Sequence, residues 1–333
     1  MQKTITFKNP VYIQNVASQA GPKEGCGPLR KFFDAVSSDP YFKQSSWEKA
    51  ESTLLQSTLE LLLKKERYNP SDIDMIAGGD LLNQCVGTNY GLSSFEIPFL
   101  GLYGACSTFV EGLMIASMTI SGGFAEKAVA VTSSHFCSSE RQFRFPLEYG
   151  GQRPPTSQWT VTGSGAALIS RHGDFRITHA TIGRICDYGI TDINNMGAAM
   201  APAAIETVSR HFKDRNLPND YFDLVVTGDL GMYGKQITQE QLNLRGIDLT
   251  GRYTDCGDII FDKKTQDVHA GGSGCGCCAS VFCGYLWHLL NSGKVKRMLL
   301  CATGALMSPT SCFQGESIPG IAHAVAIERE DTL

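Results

Sequence analysis

The sequence predicts an α/β protein made of two pseudo-duplicated halves packed as one layered body. Three observations carry that reading: a repeated strand motif, a repeated helix-to-strand spacing, and strand segments apolar enough to need cover on both faces. "DMIAGGDL", Asp74 to Leu81, shares Asp, Gly, Asp and Leu in register with "DLVVTGDL", Asp223 to Leu230. Ser121-Gly122 leads into "AEKAVAVTSS" and Ser292-Gly293 into "VKRMLLCATG", with 11 residues from Ser121 to Thr132 and again from Ser292 to Thr303. "AALISR", ending at Arg171, echoes "AVAIER", ending at Arg329. The echoes keep their order, and no low-complexity linker divides them, so the halves are read as residues 1–172 and 173–333.

The elements follow the same logic. "WEKAESTLLQSTLELLLKKERY" precedes the first strand motif and "APAAIETVSRHFKDR" the second; both carry apolar residues at helical spacing, and Pro70 and Pro218 follow soon after their ends. Counting back 15 residues from the paired serines sets Cys106 opposite Cys277. Each lies where a run of small residues enters a buried helix, "GLYGACSTFVEGLMIASMTI" and "GGSGCGCCASVFCGYLWHLL". In the first of these helices Phe109, Leu113 and Ile120 recur on one apolar face.

Composition narrows the function classes. At 333 residues and 42% hydrophobic content the chain has ample material for a core, and a formal net charge of −4 gives no long-range attraction to nucleic acid or an anionic membrane. The first residues lack an apolar signal core, and the most apolar stretch, Cys277 to Leu290, is short and interrupted by Gly284, Trp287 and His288. The expectation is a chain with neither signal peptide nor transmembrane segment, placed in the cytoplasm, whose 12 cysteines are reduced thiols.

Cys106 is the first candidate for chemistry. A helix start offers unpaired N–H groups and the positive end of the helix dipole, which favour a thiolate. Cysteine is also a small apolar residue at home in interiors, and Gly104-Ala105-Cys106-Ser107 equally suits close packing.

The motif "YGACST" resembles the nucleophile motif of thiolases and ketoacyl synthases. That resemblance implies a thiolase-like fold with α-β-α-β-α layers, in which the cysteine heads the central helix of the first half. "EYGGQRPPTSQWTVTGSGAALIS", with the stretches around Cys106 and His269, is similar to the stage V sporulation protein AD family of endospore-forming bacteria. This closer resemblance implies a binding protein rather than an enzyme. Its ligand would be dipicolinic acid (pyridine-2,6-dicarboxylate) or its calcium complex, taken up into the developing spore with membrane proteins of the same sporulation operon. It further implies a homodimer, cytoplasmic or peripheral at the spore inner membrane, with no cofactor.

Measured against the enzymes, the second half departs from the pattern. Where ketoacyl synthases carry a histidine after the strand, this chain has Gly228-Asp229-Leu230-Gly231. "HAGGSG", from His269, resembles the thiolase histidine segment without its proline and one residue, and "LLCATGA" resembles the strand of the second thiolase cysteine but has Thr303 where glycine is usual. Cys301 itself reads as a core residue on an apolar strand. The alternative function is a thiolase-like or ketoacyl-synthase-like acyltransferase with Cys106 as nucleophile.

A dicarboxylate presents acceptors, so its pocket needs donors. The long polar and aromatic segment from Ser133 to Trp159 offers Arg141, Arg144 and Arg153, and serves equally as a dimer contact. The ligand-binding candidates are Cys106, His135, Arg144, Arg153 and His269. No metal site is expected: Cys275, Cys277 and Cys278 lack ligand spacing, and "GCGCCA" has no acid about 20 residues on to make it a dinucleotide fingerprint. The acidic stretch "YTDCGDIIFDKKTQD" reads as a solvated loop and lacks calcium-loop spacing.

Overall fold

The computed structural model describes residues 3–143 and 151–332. Chain residues before Gly173 form strands β1 (Thr4–Thr6), β2 (Tyr12–Ala20), β3 (Ala35–Val36), β4 (Met75–Gly79), β5 (Phe99–Gly101), β6 (Lys127–Ser134), β7 (Trp159–Thr160) and β8 (Gly163–Ser170). Helices α1 (Trp47–Glu66), α2 (Val86–Leu92), α3 (Thr108–Gly122) and α4 (Phe136–Phe143) alternate with them. The remainder supplies β9 (Phe175–Thr181), β10 (Leu224–Thr227), β11 (Tyr253–Asp255), β12 (Gly272–Ser273), β13 (Arg297–Ala305) and β14 (Gly320–Arg329). Its helices are α5 (Met196–Arg215), α6 (Gly231–Leu244), α7 (Cys256–Ile259), α8 (Cys275–Val281), α9 (Trp287–Asn291) and α10 (Pro309–Phe313).

Strand order runs β11-β10-β13-β14-β9-β2-β8-β6-β4-β5, which reads the same way outward from its centre. The two five-stranded runs meet where Tyr12 and Ile13 pair with Arg176 and Phe175. In each run the central strands are parallel (β4 with β6, β10 with β13) and the next is antiparallel (β8, β14). The N-terminal β1 crosses over to pair with β9.

Side-chain size on the two faces of each sheet sets the layers. On β4, β6 and β8 the inner face carries Ala77, Ala128, Ala130 and Ala167, and the outer face carries Ile76, Val129, Val131 and Leu168. Small inner residues let α3 approach closely: a side chain at Gly112 would lie 3.0 Å from the Ala77 carbonyl. Leu55, Leu59 and Leu62 of α1 cover the bulky outer face, and α5 covers the outer face of β10, β13 and β14. Central α3 and α8 are apolar around most of their circumference because protein surrounds them. α3 is part of the one stretch, Ala105–Gly122, long and apolar enough to cross a membrane among the described residues, and it is a core helix.

The glycines of "GCGCCA" serve packing. A side chain at Gly276 would collide with the Gly163 carbonyl of β8, and one at Gly165 with the Ala279 carbonyl of α8. Helix and strand backbones are therefore in direct contact, and Cys275, Cys277 and Cys278 are buried beside them.

The first echo reflects a shared interaction. The Asp74 carboxylate accepts the N–H groups of Glu126 and Lys127 at 2.7 and 2.9 Å, and Asp223 accepts those of Lys296 and Arg297 at 2.8 and 3.0 Å. Register then equates Ala128 with Met298, since these pair with Met75 and Leu224. That places Thr132 opposite the position of Ala302, so the Thr132–Thr303 match is one residue out, which in a strand means the opposite face.

The helix match slips further. Gly123 and Gly293, with φ of 78° and 71°, close the two central helices four residues before β6 and β13. At the other end Ala105 and Gly274, with φ of 51° and 105°, open them. The second helix holds one more residue between these points, taken up by a π turn at Phe282–Leu286. Cys106 thus corresponds to Cys275, in contrast to the Cys277 that even spacing suggests.

Burial makes two positions testable, Gly165 and Glu24. Gly165→Ala should lower stability by more than about 2 kcal/mol in urea unfolding, because no flexible side chain can yield to the new methyl. Glu24 is wholly buried, and burial raises its carboxyl from 4.5 to about 7. A raised folded pKa stabilises fully below the unfolded value and is lost as pH rises through the folded one. From about pH 5 to about pH 8, wild type should therefore lose on the order of 3 kcal/mol relative to Glu24→Gln, read by urea titration at each pH.

Candidate functional site

Cys106 sits in a short 3-10 turn, Ala105–Ser107, which runs into α3. Ala105 holds the left-handed conformation, unusual for a residue with a side chain, and so turns the thiol toward a cavity. The cavity measures about 470 Å³. Leu81, Phe143, Ile193, Met196 and Met307 give it apolar walls, while Ser139, Glu140, Thr160 and Ser273 supply polar groups. The Ser139 hydroxyl is buried without a hydrogen-bond partner among the described residues, and Thr160 Oγ1 donates to Glu140 at 3.2 Å.

The second half delivers Asp229 to the thiol. This wholly buried carboxylate accepts the Gly274 N–H at 2.9 Å, the Ser273 hydroxyl at 3.2 Å and the Thr303 hydroxyl at 2.8 Å. Ser273 Oγ lies 4.0 Å from Cys106 Sγ. Burial pushes the Cys106 thiol well above its ordinary range, and the Asp229 charge pushes it the same way. The structure therefore reverses the expectation of a thiolate favoured by a helix start. Burial also raises the Asp229 carboxyl, while its donors, Cys106 among them, pull it down.

Among the ligand-binding candidates, Cys106 lines the cavity, and the others described do not. His135 follows β6 but is buried, its Nε2 2.7 Å from the Pro40 carbonyl and its Nδ1 accepting the Cys137 N–H. Burial lowers its pKa, so it is neutral. Arg153 donates to the Gln158 and Asp267 carbonyls and stacks over Trp159, and His269 Nε2 lies 3.4 Å from the Asp267 carboxylate. Arg153 and His269 thus gather on the far side of the β7/β12 ribbon. Arg144 lies outside the described residues, and Arg141 pairs with Glu48. Cys301 is in the core under α5, on the sheet face away from Cys106.

The acidic stretch is not uniformly solvated. Asp255 is wholly buried and accepts the N–H groups of Leu230, Gly231 and Asp258, which fixes the entry to α6 and caps α7. Asp258 pairs with Lys235 and Lys263. Sequence reasoning missed Asp229, Ser139 and Glu140 as site groups. Asp229 had a signal, since it stands within the repeated motif beside the position of the missing histidine.

With the layered sheet and the cysteine cavity in place, the protein falls in the class of thiolase-fold proteins. It is similar over 98% of its length to 3-oxoacyl-[acyl-carrier-protein] synthase III from Aquifex aeolicus VF5 (99% of that chain, TM-score 0.52, 14% identity). Similar matches are cerulenin-bound OleA from Xanthomonas campestris (96% of this chain, 100% of that one, TM-score 0.61, 13% identity) and human mitochondrial 3-ketoacyl-CoA thiolase in complex with CoA (98% and 99%, TM-score 0.59, 12% identity). The profile described as Stage V sporulation protein AD (SpoVAD) matches residues 1–328. A curated relative of that name from Bacillus subtilis (strain 168) is 46% identical over 329 residues, covering 98% of this chain and 97% of the relative. The chain belongs to the stage V sporulation protein AD family.

The electrostatics give a direct test. Iodoacetamide should alkylate Cys106 at about pH 8 at least about tenfold more slowly than a free thiol, because little thiolate is present. Asp229→Asn should speed the reaction by removing the adjacent charge, with site-resolved mass spectrometry as the readout.

Proposed function

We propose that this chain binds dipicolinic acid in the Cys106 cavity, free or as its calcium chelate, and supports its uptake into the developing spore. The observation that carries this reading is the pairing of a thiolase-type cysteine cavity with a carboxylate, Asp229, against the thiol. A condensing enzyme needs a thiolate and a nearby proton carrier. Here the thiol is raised by burial and by like charge, and no histidine lines the cavity among the described residues. A cavity of about 470 Å³ lies within the range of small-ligand sites, and its apolar walls suit a flat aromatic ring. The Ser139 hydroxyl is placed to donate to a ligand oxygen, the hydroxyls of Thr160 and Ser273 already give their protons to Glu140 and Asp229 and can accept, and the Glu140 carboxylate offers calcium the hard oxygen ligand it favours.

Membrane proteins of the same sporulation operon are the receiving partners in this reading, with the chain acting at the inner membrane surface. It acts as a homodimer. Strand β5 ends the sheet, with Leu100 and Tyr103 each 52% exposed along and beside it, and pairing between two copies would cover that edge. The second reading is acyl transfer through Cys106, favoured by the left-handed Ala105 that aims the thiol at the cavity. Stable acylation of Cys106 after incubation with acyl thioesters would support it.

Calorimetric titration with dipicolinate, with and without calcium, tests the leading reading. Binding should be lost in Cys106→Trp, which fills the cavity, and Glu140→Gln should weaken the calcium-dependent part about tenfold while sparing the rest. Absence of any heat at millimolar ligand would sink it.

A further inference from the structure

Two carboxylates outside the cavity are wholly buried side by side, Glu51 on α1 and Asp80 directly after β4. A side chain at Gly87 would lie 3.2 Å from each of them. Asp80 accepts the N–H groups of Leu82 and Thr88 at 2.8 and 2.7 Å and the Thr88 hydroxyl at 2.6 Å. Two of those donors are backbone groups that cannot turn away, so the position of Asp80 favours its charged form. Glu51 is met instead by hydroxyls, of Ser133 at 3.3 Å and of Ser138 at 2.6 Å. Ser138 Oγ also lies 3.1 Å from the His135 carbonyl, so it can turn its own proton there and accept one from Glu51.

Neighbouring charges sharpen that asymmetry. The charges that bear on Glu51 are the carboxylates of Asp80 and Glu48, and the Arg141 guanidinium of α4 is taken up by Glu48. His135 is neutral and turned to Pro40, while Cys85, Tyr103 and Cys275, which also feel Asp80, are held in their uncharged forms. Burial first, and the Asp80 charge second, raise the Glu51 carboxyl well above its ordinary value. Two anions cannot both stand in such a site, so Glu51 holds a proton where Asp80 holds a charge. Both partners reach the cavity. Leu81 and Asn83 follow Asp80 and line it, and Ser139 and Glu140 follow Ser138 and line it. Cys275, which donates to the Ser133 carbonyl at 2.9 Å, packs with Leu81 and Cys106. Between the two amides that Asp80 holds, Gln84 and Cys85 are both left-handed, with φ of 60° and 51°. That is a strained stretch, kept in place because its ends are tied down.

We propose that the proton on Glu51 latches the cavity wall: with it in place Asp80 holds the loop of residues 80–85 against the cavity, and its loss sets two buried charges against each other, which the strained loop relieves by moving outward and releasing ligand. The identity of that ligand rests on the function proposed above. Linkage runs both ways, so an anionic ligand in the cavity strengthens the hold on the proton as the proton strengthens the hold on the ligand.

Hydrogen exchange of the full chain reads the latch without ligand. A carboxyl raised by folding stabilises fully below its unfolded value and ceases to do so as pH rises through the folded one. Corrected for the intrinsic exchange rate, protection of the Leu82 and Thr88 amides in wild type should therefore fall between about pH 6 and about pH 9 by at least about tenfold more than protection in α5. Glu51→Gln cannot ionise, and its loop should lose no more protection than α5 does. Calorimetric affinity for dipicolinate should fall at least about tenfold over the same range in wild type and stay level in Glu51→Gln. Equal changes in the loop and in α5 of wild type would overturn the latch and leave the cavity reading in place, and that comparison needs no variant to fold. A loop that loses protection with rising pH, in a chain that gives no heat with dipicolinate, would end the cavity reading while the proton's control of the loop stands.

Discussion

The Asp229 carboxylate is the contact on which the site depends. It gathers the β12 entry to α8 through Ser273 and Gly274 and the end of β13 through Thr303, and it brings them against Cys106 from the other half. A wholly buried carboxylate is costly without such donors, so the segments that satisfy it are held in place by its demand. The same charge sets the chemistry, because an anion beside a buried thiol works against the thiolate that acyl transfer requires. One interaction thus assembles a thiolase-like cavity and works against ionisation of its thiol.

Duplication supplies the frame for that contact. Asp74 and Asp223 make the same pair of backbone hydrogen bonds at the same place in each half, and the strand registers agree from there. Symmetry is broken where function enters. The second central helix takes in an extra residue at its π turn, and Asp80 and Asp229, matched in the repeated motif, serve different ends. Asp80 accepts from Leu82 and Thr88 in its own half, whereas Asp229 reaches the junction between halves.

Much of the fold was legible because burial on both faces leaves a plain mark in sequence. The apolar strands, the two outer helices with their following prolines, and the small-residue turns into the central helices all read directly. The second echo misled because Ser121 with Ser292 and Thr132 with Thr303 match one residue off the true register, and the cysteine count misled further because sequence spacing does not reveal the π turn inside the second central helix. Of the site, Cys106 was legible through its neighbours Gly104 and Ala105. His135 was misplaced because the end of a strand gives no sign of which way the following side chain turns, and it turns toward Pro40.

Sequence by itself determined the layered α/β class, the duplication, and the cysteine at the head of a central helix, since these rest on local periodicity and on residue size. Tertiary structure alone decided which groups meet that cysteine. Asp229 lies more than a hundred residues from it, and Arg153 stacks on Trp159, whose side chain the pleat of a two-stranded ribbon sends to the side opposite the cavity-lining Thr160.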